Sequence, residues 1–465
     1  MRTGRDLAIT RMREAGVNQP AIDTFAQHYD KLAGGATGLI READVEPALP
    51  AVDLADVQID PDGADAREAL DATVVITLNG GLGTSMGLAG PKSLLPVRDG
   101  LTFLDITVRQ VLALRRRYGV RLPLLLMDSF STQEQTLALL ADYPELAVEG
   151  LPLDFLQSQE PKLRADDLTP VTWEADPRLE WCPPGHGDLY PSLLSSGLLE
   201  QLLEQGYRQA FVSNVDNLGA IADGRLAAWF TASGAGYAAE VCPRTEMDLK
   251  GGHLVRRSGD GRFVLRDTAQ TAPEEMRHFT DAEKHPFVNT NNLWFDLARL
   301  KAMLDERGGV LDLPLIRNAK TVDPTDKSST PVIQIETAMG GAVELFDDAL
   351  SVAVTRERFV PVKTTNELLL LRSDVYAVDT ADSYRLTKTV EPAPVIDLDK
   401  SYYGHLGQLD ERFPDGAPSL RQASRLTVEG DWTFGGGVTV VGDVTLSDEG
   451  SPRAVPAGTV LQPGR

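Results

Sequence analysis

The segment Thr73–Leu78, TVVITL, is short, apolar and rich in β-branched residues, and it runs directly into LNGGLGTSMGLAGPKS over residues 78–93. Such a run fits a strand buried on both faces. A strand that empties into a glycine loop belongs to a sheet whose ligands gather at the carboxyl ends of its strands. Gly80, Gly81, Gly83 and Gly87 remove Cβ atoms where backbone N–H groups could approach a bulky anion, and Lys92 adds a point charge after a Gly-Pro turn. The loop reads as a cradle for a nucleoside triphosphate; the plainer alternative is a tight turn.

Counting excludes two other phosphate loops. From Gly81 the spacing is G-x-G-x-x-x-G, one residue too long for a dinucleotide fingerprint, which argues against an NAD-dependent oxidoreductase. In Gly90-Pro91-Lys92-Ser93 a proline separates glycine from lysine and removes an N–H that a P-loop needs.

Strand and helix patterns alternate from here on. Strands are expected at Thr73–Leu78, Leu122–Met127, Leu153–Leu156, Ala210–Ser213, Tyr237–Val241 and Val288–Phe295. Helices are expected at Pro20–Leu32, Thr102–Tyr118, Ser192–Leu203 and Asp296–Glu306, with another announced by a capping box at Ser131 and Glu134. The alternation predicts an α/β fold with a mixed, mainly parallel, doubly wound sheet. The glycine loop and Asn214-Val215-Asp216 then both fall at strand ends. After about residue 390 the pattern changes to short β-rich pieces punctuated by Gly430, Gly435–Gly437 and Gly442, which fits a small β-solenoid or a sandwich. The expected division is a helical segment at 1–50, a catalytic domain at 51–390 and a β domain at 391–465.

A length of 465 residues with 42% hydrophobic and 24% charged content is ordinary for a globular protein of two or three domains. A net charge of −23 repels nucleic acid and anionic membranes, and no apolar run reaches membrane-spanning length. Two cysteines without a CxxC pair make a disulfide framework or cysteine-rich zinc site unexpected. With no apolar block near Met1, the cytoplasm is the expected compartment. The same charge repels phosphorylated substrates, so any attraction for them has to be local.

Four further places offer chemistry. Asp216, between Asn214 and Asn217, is a Mg²⁺ ligand candidate beside a triphosphate site, or an Asx turn. Cys182-Pro-Pro-Gly-His-Gly-Asp188 presents His186 between glycines, as a ligand contact or a surface histidine. Asn289, Asn291 and Asn292 interrupt an apolar run and need partners, such as sugar hydroxyls or one another. Lys363, in Val360-Pro-Val-Lys-Thr-Thr365, is a second phosphate-binding lysine or a plain surface lysine.

Taken in order, LNGGLGTSMG…GPKS, TFLD, PPGHGD, VSNVDNLGA, KGG, NTNNLW, NAKT and PVKTT resemble the UTP–glucose-1-phosphate uridylyltransferase family of eukaryotes over roughly residues 20–460. The resemblance implies a nucleotidyltransferase (GT-A-like) catalytic domain followed by a left-handed β-helix. It implies that UTP and glucose 1-phosphate give UDP-glucose and pyrophosphate with Mg²⁺. On matching positions it implies that Leu78, Asn79, Gly80 and Gly81 contact UTP, with Lys92 on its phosphates, Gln157 reading uracil and Gly185 meeting the base through its backbone. It further implies His186 at the sugar phosphate, Asn214 and Asn291 on the sugar, Asp216 at Mg²⁺ and Lys363 as the catalytic lysine. Two departures carry expectations. Ala89 stands where relatives often carry a lysine, so weaker phosphate affinity is expected. The chain stops at Gln462-Pro-Gly-Arg465, short of a strand that helps some relatives assemble, so a homo-oligomer through the C-terminal domain is compatible with the resemblance but an octamer is not expected. Rival readings are the same chemistry with another hexose 1-phosphate and a catalytically silent nucleotide-sugar sensor.

Overall fold

Strand β2 (Thr73–Asn79) illustrates how the sheet is built: Val74 and Ile76 enter one apolar layer and Val75 the other, none more than 4% exposed. The computed structural model describes residues 3–464 except Ala89, Lys250, Ala381 and Asp382, so the expectations attached to Ala89 and to the lysine of KGG lie outside the described residues. The other strands of the sheet are β1 (Val52–Asp53), β3 (Leu124–Asp128), β4 (Asp154–Leu156), β5 (Gln209–Asn214), β6 (Tyr237–Pro243), β7 (Phe287–Asp296) and β8 (Leu350–Ala353). Their spatial order is β1-β8-β6-β7-β5-β2-β3-β4. Strand β7 runs antiparallel to both its neighbours, and every other pairing is parallel. The fold is therefore mixed α/β around a mainly parallel sheet.

Helices cover both faces. On one, Leu70, Leu104, Val108 and Leu226 pack against Val75, Phe211 and Trp294. On the other, Leu189, Leu202, Leu297 and Leu300 pack against Ile76, Val212 and Phe295. The N-terminal helices Gly4–Glu14 and Gln19–Ala33 bury Met12 and Phe25 against Leu163, Ile333 and Ile335.

Beyond residue 390 the strands β9 (Val395–Leu398), β10 (Ser419–Val428), β11 (Trp432–Phe434), β12 (Thr439–Leu446), β13 (Arg453–Val455) and β14 (Val460–Leu461) form two sheets, β9-β10-β12-β14 and β11-β13. All these pairings are parallel. Parallel neighbours successive in sequence describe a coil and rule out an antiparallel sandwich. The interior of the coil (Leu420, Leu426, Phe434, Val440) is continuous with Leu368 and Leu369 of the helix Thr365–Arg372, and with Met86, Val215 and Val362 beside the strand ends.

Three local expectations are corrected. The helix expected over Ser192–Leu203 is two, Leu189–Ser195 and Leu198–Glu204, because the Ser196 hydroxyl bonds back to the Ser192 carbonyl at 2.7 Å and Gly197 is left-handed at φ 76°. No capping box forms at Ser131: the helix Gln133–Leu140 starts at Thr132, whose hydroxyl is drawn to buried Asp128 at 3.0 Å. Strand β3 begins after Leu122 and Pro123, since Leu122 has φ 33°. Among the described residues no helix is long and apolar enough to cross a membrane.

Leu426 is fully buried in the apolar cluster that joins the coil to the sheet. Leu426→Ala is expected to cost about 2–5 kcal/mol, read from urea unfolding.

Candidate active site

Strands β2 and β5 are parallel neighbours with Leu78 beside Asn214, and the Val215 N–H donates to the Leu78 carbonyl at 3.2 Å. Gly80-Gly81 and Val215-Asp216 therefore leave the sheet side by side. The chain after Gly81 doubles back: Gly83 N–H donates to the Gly90 carbonyl at 3.2 Å, and Lys92 N–H donates to the Gly81 carbonyl at 3.1 Å. This return brings the Lys92 ammonium onto the Asp216 carboxylate, each side chain 16% exposed. Two of the four loop glycines, Gly83 and Gly87, are demanded by the protein rather than by an anion, and at Gly80 the Cβ position is taken by the end of a flexible side chain. A Cβ at Gly80 would overlap the Gln157 amide, one at Gly83 would overlap Leu88, and Gly87 is left-handed at φ 75° with His405 behind it. Only at Gly81 does the missing Cβ face open space.

His186, Asn214, Asp216, Asn291 and Lys363 share the wall of one cavity of about 840 Å³ that extends to Lys388 and Arg425 near the C-terminal coil. Lys363 is exposed and forms no ion pair among the described residues. It is set beside Asp216 by backbone contacts: Val362 N–H donates to the Asp216 carbonyl at 3.1 Å, and Pro361 bridges to Asn217. Asn291 sits in a bulge of β7 at φ 61°, a backbone region asparagine tolerates, and its amide donates to the Asn214 side-chain oxygen at 2.9 Å. Gly185 adopts φ 79° with the Thr337 carbonyl 2.5 Å from where a Cβ would lie, so only glycine fits. The Met339 N–H donates to His186 Nδ1 at 3.0 Å, which leaves Nε2 as the protonated nitrogen. Burial holds this imidazole below its ordinary pKa, so it is neutral at pH 7.

The polar residues that look most like ligands do not all face the cavity. Asn217 and Asn292 turn inward to a buried pair, Glu240 and Arg358. Arg358 Nε and Nη2 each donate to Glu240 at 2.7 Å, Trp294 Nε1 and Asn292 Nδ2 each donate to it at 3.0 Å, and Asn217 donates to Asn292 at 3.2 Å. The Asn217 side-chain oxygen accepts from Val360 N–H at 2.8 Å, so this network holds the start of the segment that carries Lys363. Burial acts to lower the Arg358 pKa, but the Glu240 charge and hydrogen bonds outweigh it and raise it. Asn79 likewise has its side chain turned away from the cavity, donating to Asp128 at 2.7 Å and Thr136 at 2.9 Å, so it can offer a ligand only its backbone. None of Glu240, Arg358 or Asp128 was visible as a site residue in the sequence, because each acts through a partner distant in the chain.

Among the described residues no group of three or more His, Cys, Asp or Glu could hold a metal by itself. Mg²⁺ needs no such cage: one or two carboxylates with phosphate oxygens and waters suffice. Asp216 suits that donor set, since one of its oxygens carries no hydrogen bond among the described residues.

A doubly covered sheet with a glycine loop, a carboxylate and two lysines at neighbouring strand ends defines a nucleotidyltransferase-like α/β enzyme. A sequence model described as UTP–glucose-1-phosphate uridylyltransferase matches residues 22–441. The chain is 39% identical over 444 residues to the UTP–glucose-1-phosphate uridylyltransferase of Solanum tuberosum, covering 94% of this chain and 88% of that one. It is also 39% identical over 395 residues to that of Saccharomyces cerevisiae, covering 84% and 77%. The UDP-glucose phosphorylase of Trypanosoma brucei superposes with a TM-score of 0.92 at 44% identity, covering 99% of this chain and 98% of that one. A Leishmania major UDP-glucose pyrophosphorylase variant solved in complex with UDP-glucose superposes equally well, with a TM-score of 0.92 at 41% identity and coverage of 100% and 99%. This chain belongs to the UTP–glucose-1-phosphate uridylyltransferase family, whose members are nucleotidyltransferases.

Arg358→Met leaves Glu240 buried without its counter-charge, and a loss of about 3–5 kcal/mol is expected in denaturant unfolding. Burial raises the Asp128 carboxyl to about 6, above its unfolded value, so its stabilising contribution is complete below pH 4 and disappears as pH rises through 6. Asp128→Asn keeps the hydrogen-bond acceptor without the charge. Its stability relative to the parent should rise between pH 4 and 6 by about 2–3 kcal/mol and level off above, measured by melting at a series of pH values.

Proposed function

We propose that this chain joins UTP and glucose 1-phosphate to give UDP-glucose and pyrophosphate, with Mg²⁺ as its metal. The observation that carries the reading is the meeting of Lys92, Asp216 and Lys363, from three distant stretches, at neighbouring strand ends of a protein with a net charge of −23. An oxygen of the sugar phosphate forms a bond to the α-phosphorus of UTP. The bond from that phosphorus to the oxygen bridging to the β-phosphate breaks, and pyrophosphate leaves with the electron pair. The nucleophile is already an anion, so no general base is required. The obstacle is the approach of two anions, which positioning and positive charge overcome.

Lys363, without an ion-pair partner among the described residues, is assigned to the attacking phosphate and the α-phosphate. Lys92 is assigned to the triphosphate, for which the phosphates have to compete with Asp216. A unit charge about 4 Å from a phosphate is worth up to roughly 4 kcal/mol at an effective dielectric near 20, so two lysines supply several decades of rate. Asp216 would hold Mg²⁺, which when bound neutralises phosphate charge. Gly80, Gly81 and the backbone of Leu78 and Asn79 border the nucleotide, and Gln157, packed on Gly80, reads the uracil. Gly185 meets the base through its backbone. His186 donates from Nε2 to the sugar phosphate, and Asn214 and Asn291, paired to each other, meet sugar hydroxyls. The parallel coil after residue 390 is assigned as a left-handed β-helix domain, available for homo-oligomer contacts, with residues 51–390 as the catalytic domain behind the helical segment 1–50. The cytoplasm is the proposed compartment.

Pyrophosphate release is the decisive measurement, with UTP, Mg²⁺ and a panel of hexose 1-phosphates, and with dTTP in parallel. Glucose 1-phosphate should support the fastest release. Lys363→Ala and Asp216→Asn should each lower kcat at least about a hundredfold with unchanged melting temperatures, the range expected for losing a charge at the transition state. Near-parental turnover in either variant would remove that residue from its role.

A further inference from the structure

A glutamine side chain cannot by itself tell uracil from cytosine. Uracil offers an acceptor at O4 and a donor at N3, cytosine offers the reverse, and turning the amide over presents the complementary pattern to either. Discrimination therefore depends on how rigidly the backbone aims the amide. Residues 157 and 158 are held at both N–H groups. Gln157 N–H donates to the Asp128 carbonyl at the end of β3 at 2.8 Å, and Ser158 N–H donates to Asp188 Oδ2 at 2.5 Å. The same carboxylate oxygen accepts from the Ser192 hydroxyl at 2.8 Å.

Asp188 is 4% exposed and forms no ion pair among the described residues. It ends the turn that carries Gly185 and His186, and the neighbouring Gly187 N–H donates to the Thr337 carbonyl at 2.9 Å. A buried carboxylate without a counter-charge is an expensive way to stabilise a fold. Burial pushes this one up to about 6, with hydrogen bonds from Ser158 and Ser192 opposing the shift.

We propose that Asp188 is a positioning residue for base selection: it clamps the backbone at Ser158 so that Gln157 stays pressed on Gly80 in one orientation, and it ties that reader to the turn bearing His186. This rests on the assignment of Gln157 to the uracil.

The test compares kcat/KM for UTP and CTP, with glucose 1-phosphate as co-substrate, in the full-length enzyme and four variants. Asp188→Ala should lower the UTP/CTP ratio at least about tenfold, mainly through a higher KM for UTP, while the KM for glucose 1-phosphate changes less than about threefold. Asp188→Asn retains an oxygen that can accept from Ser158 and should stay within about threefold of the parent ratio. Asp188→Ser is too short to reach the Ser158 N–H and should behave like Asp188→Ala, which covers the case where the alanine variant does not fold. A folded Asp188→Ala or Asp188→Ser enzyme with lowered melting temperature but the parent ratio overturns the proposal and leaves a purely structural role. Gln157→Ala separates the two layers. If it keeps the parent ratio, the reading of Gln157 fails. If it loses the ratio while Asp188→Ala keeps it, only the role of Asp188 fails.

Discussion

The buried pair of Glu240 and Arg358 is the contact on which the site's arrangement depends. Glu240 lies on β6, and the antiparallel strand β7 supplies Trp294 and Asn292 to the same carboxylate. Arg358 and Asn217 extend the network to the loop after β5 and to Val360, just ahead of Lys363. A buried ion pair is a poor source of net stability, because desolvation consumes much of the attraction. Its value here is geometric: a planar guanidinium meeting a carboxylate through two hydrogen bonds permits little rotation. Through it three separate stretches of chain keep their register at the strand ends.

The electrostatics are local in the same sense. A strongly acidic surface disfavours phosphorylated ligands, yet at the strand ends Lys92 pairs with Asp216 and Lys363 lies on the same cavity wall as that aspartate. Lys92 is held by Asp216 while Lys363 is exposed and forms no ion pair among the described residues, so the two lysines are not equivalent. Behind them the imidazole of His186 is kept neutral by burial and its hydrogen bond to Met339. Charge is concentrated where phosphates are expected and absent from the neighbouring donor. The apolar cluster that packs the C-terminal coil also contains Met86 of the glycine loop and Val215 beside Asp216, so coil and site share one core.

Much of the site was legible because strand ends are legible. TVVITL followed by glycines, and AFVS followed by Asn-Val-Asp, mark the carboxyl ends of two buried strands, and those strands are neighbours. The return of Lys92 to Gly81 was not legible, since it depends on backbone bonds between Gly83 and Gly90. Residue type alone did not say which amides face a ligand. The asparagines of NTNNLW left sugar hydroxyls and a hydrogen-bonded network both open, and a bulge in β7 sends Asn291 to the cavity and Asn292 to Glu240. Asn79 and Asn217 flank candidate site residues in the sequence, yet their amides satisfy buried acceptors.

By itself the sequence determined the α/β class, the strands that end in candidate site loops, the change to a β-rich C-terminal part and the residue types able to handle phosphate. These are consequences of local periodicity and of glycine and proline geometry, which neighbouring residues carry among themselves. Only the tertiary structure decided which side chains face the cavity, that among the described strands of the central sheet β7 alone runs antiparallel, and that Asp128, Asp188, Glu240 and Arg358 stand behind the candidate site. Each of those depends on a buried polar group finding a partner tens to hundreds of residues away, and no local pattern encodes that choice.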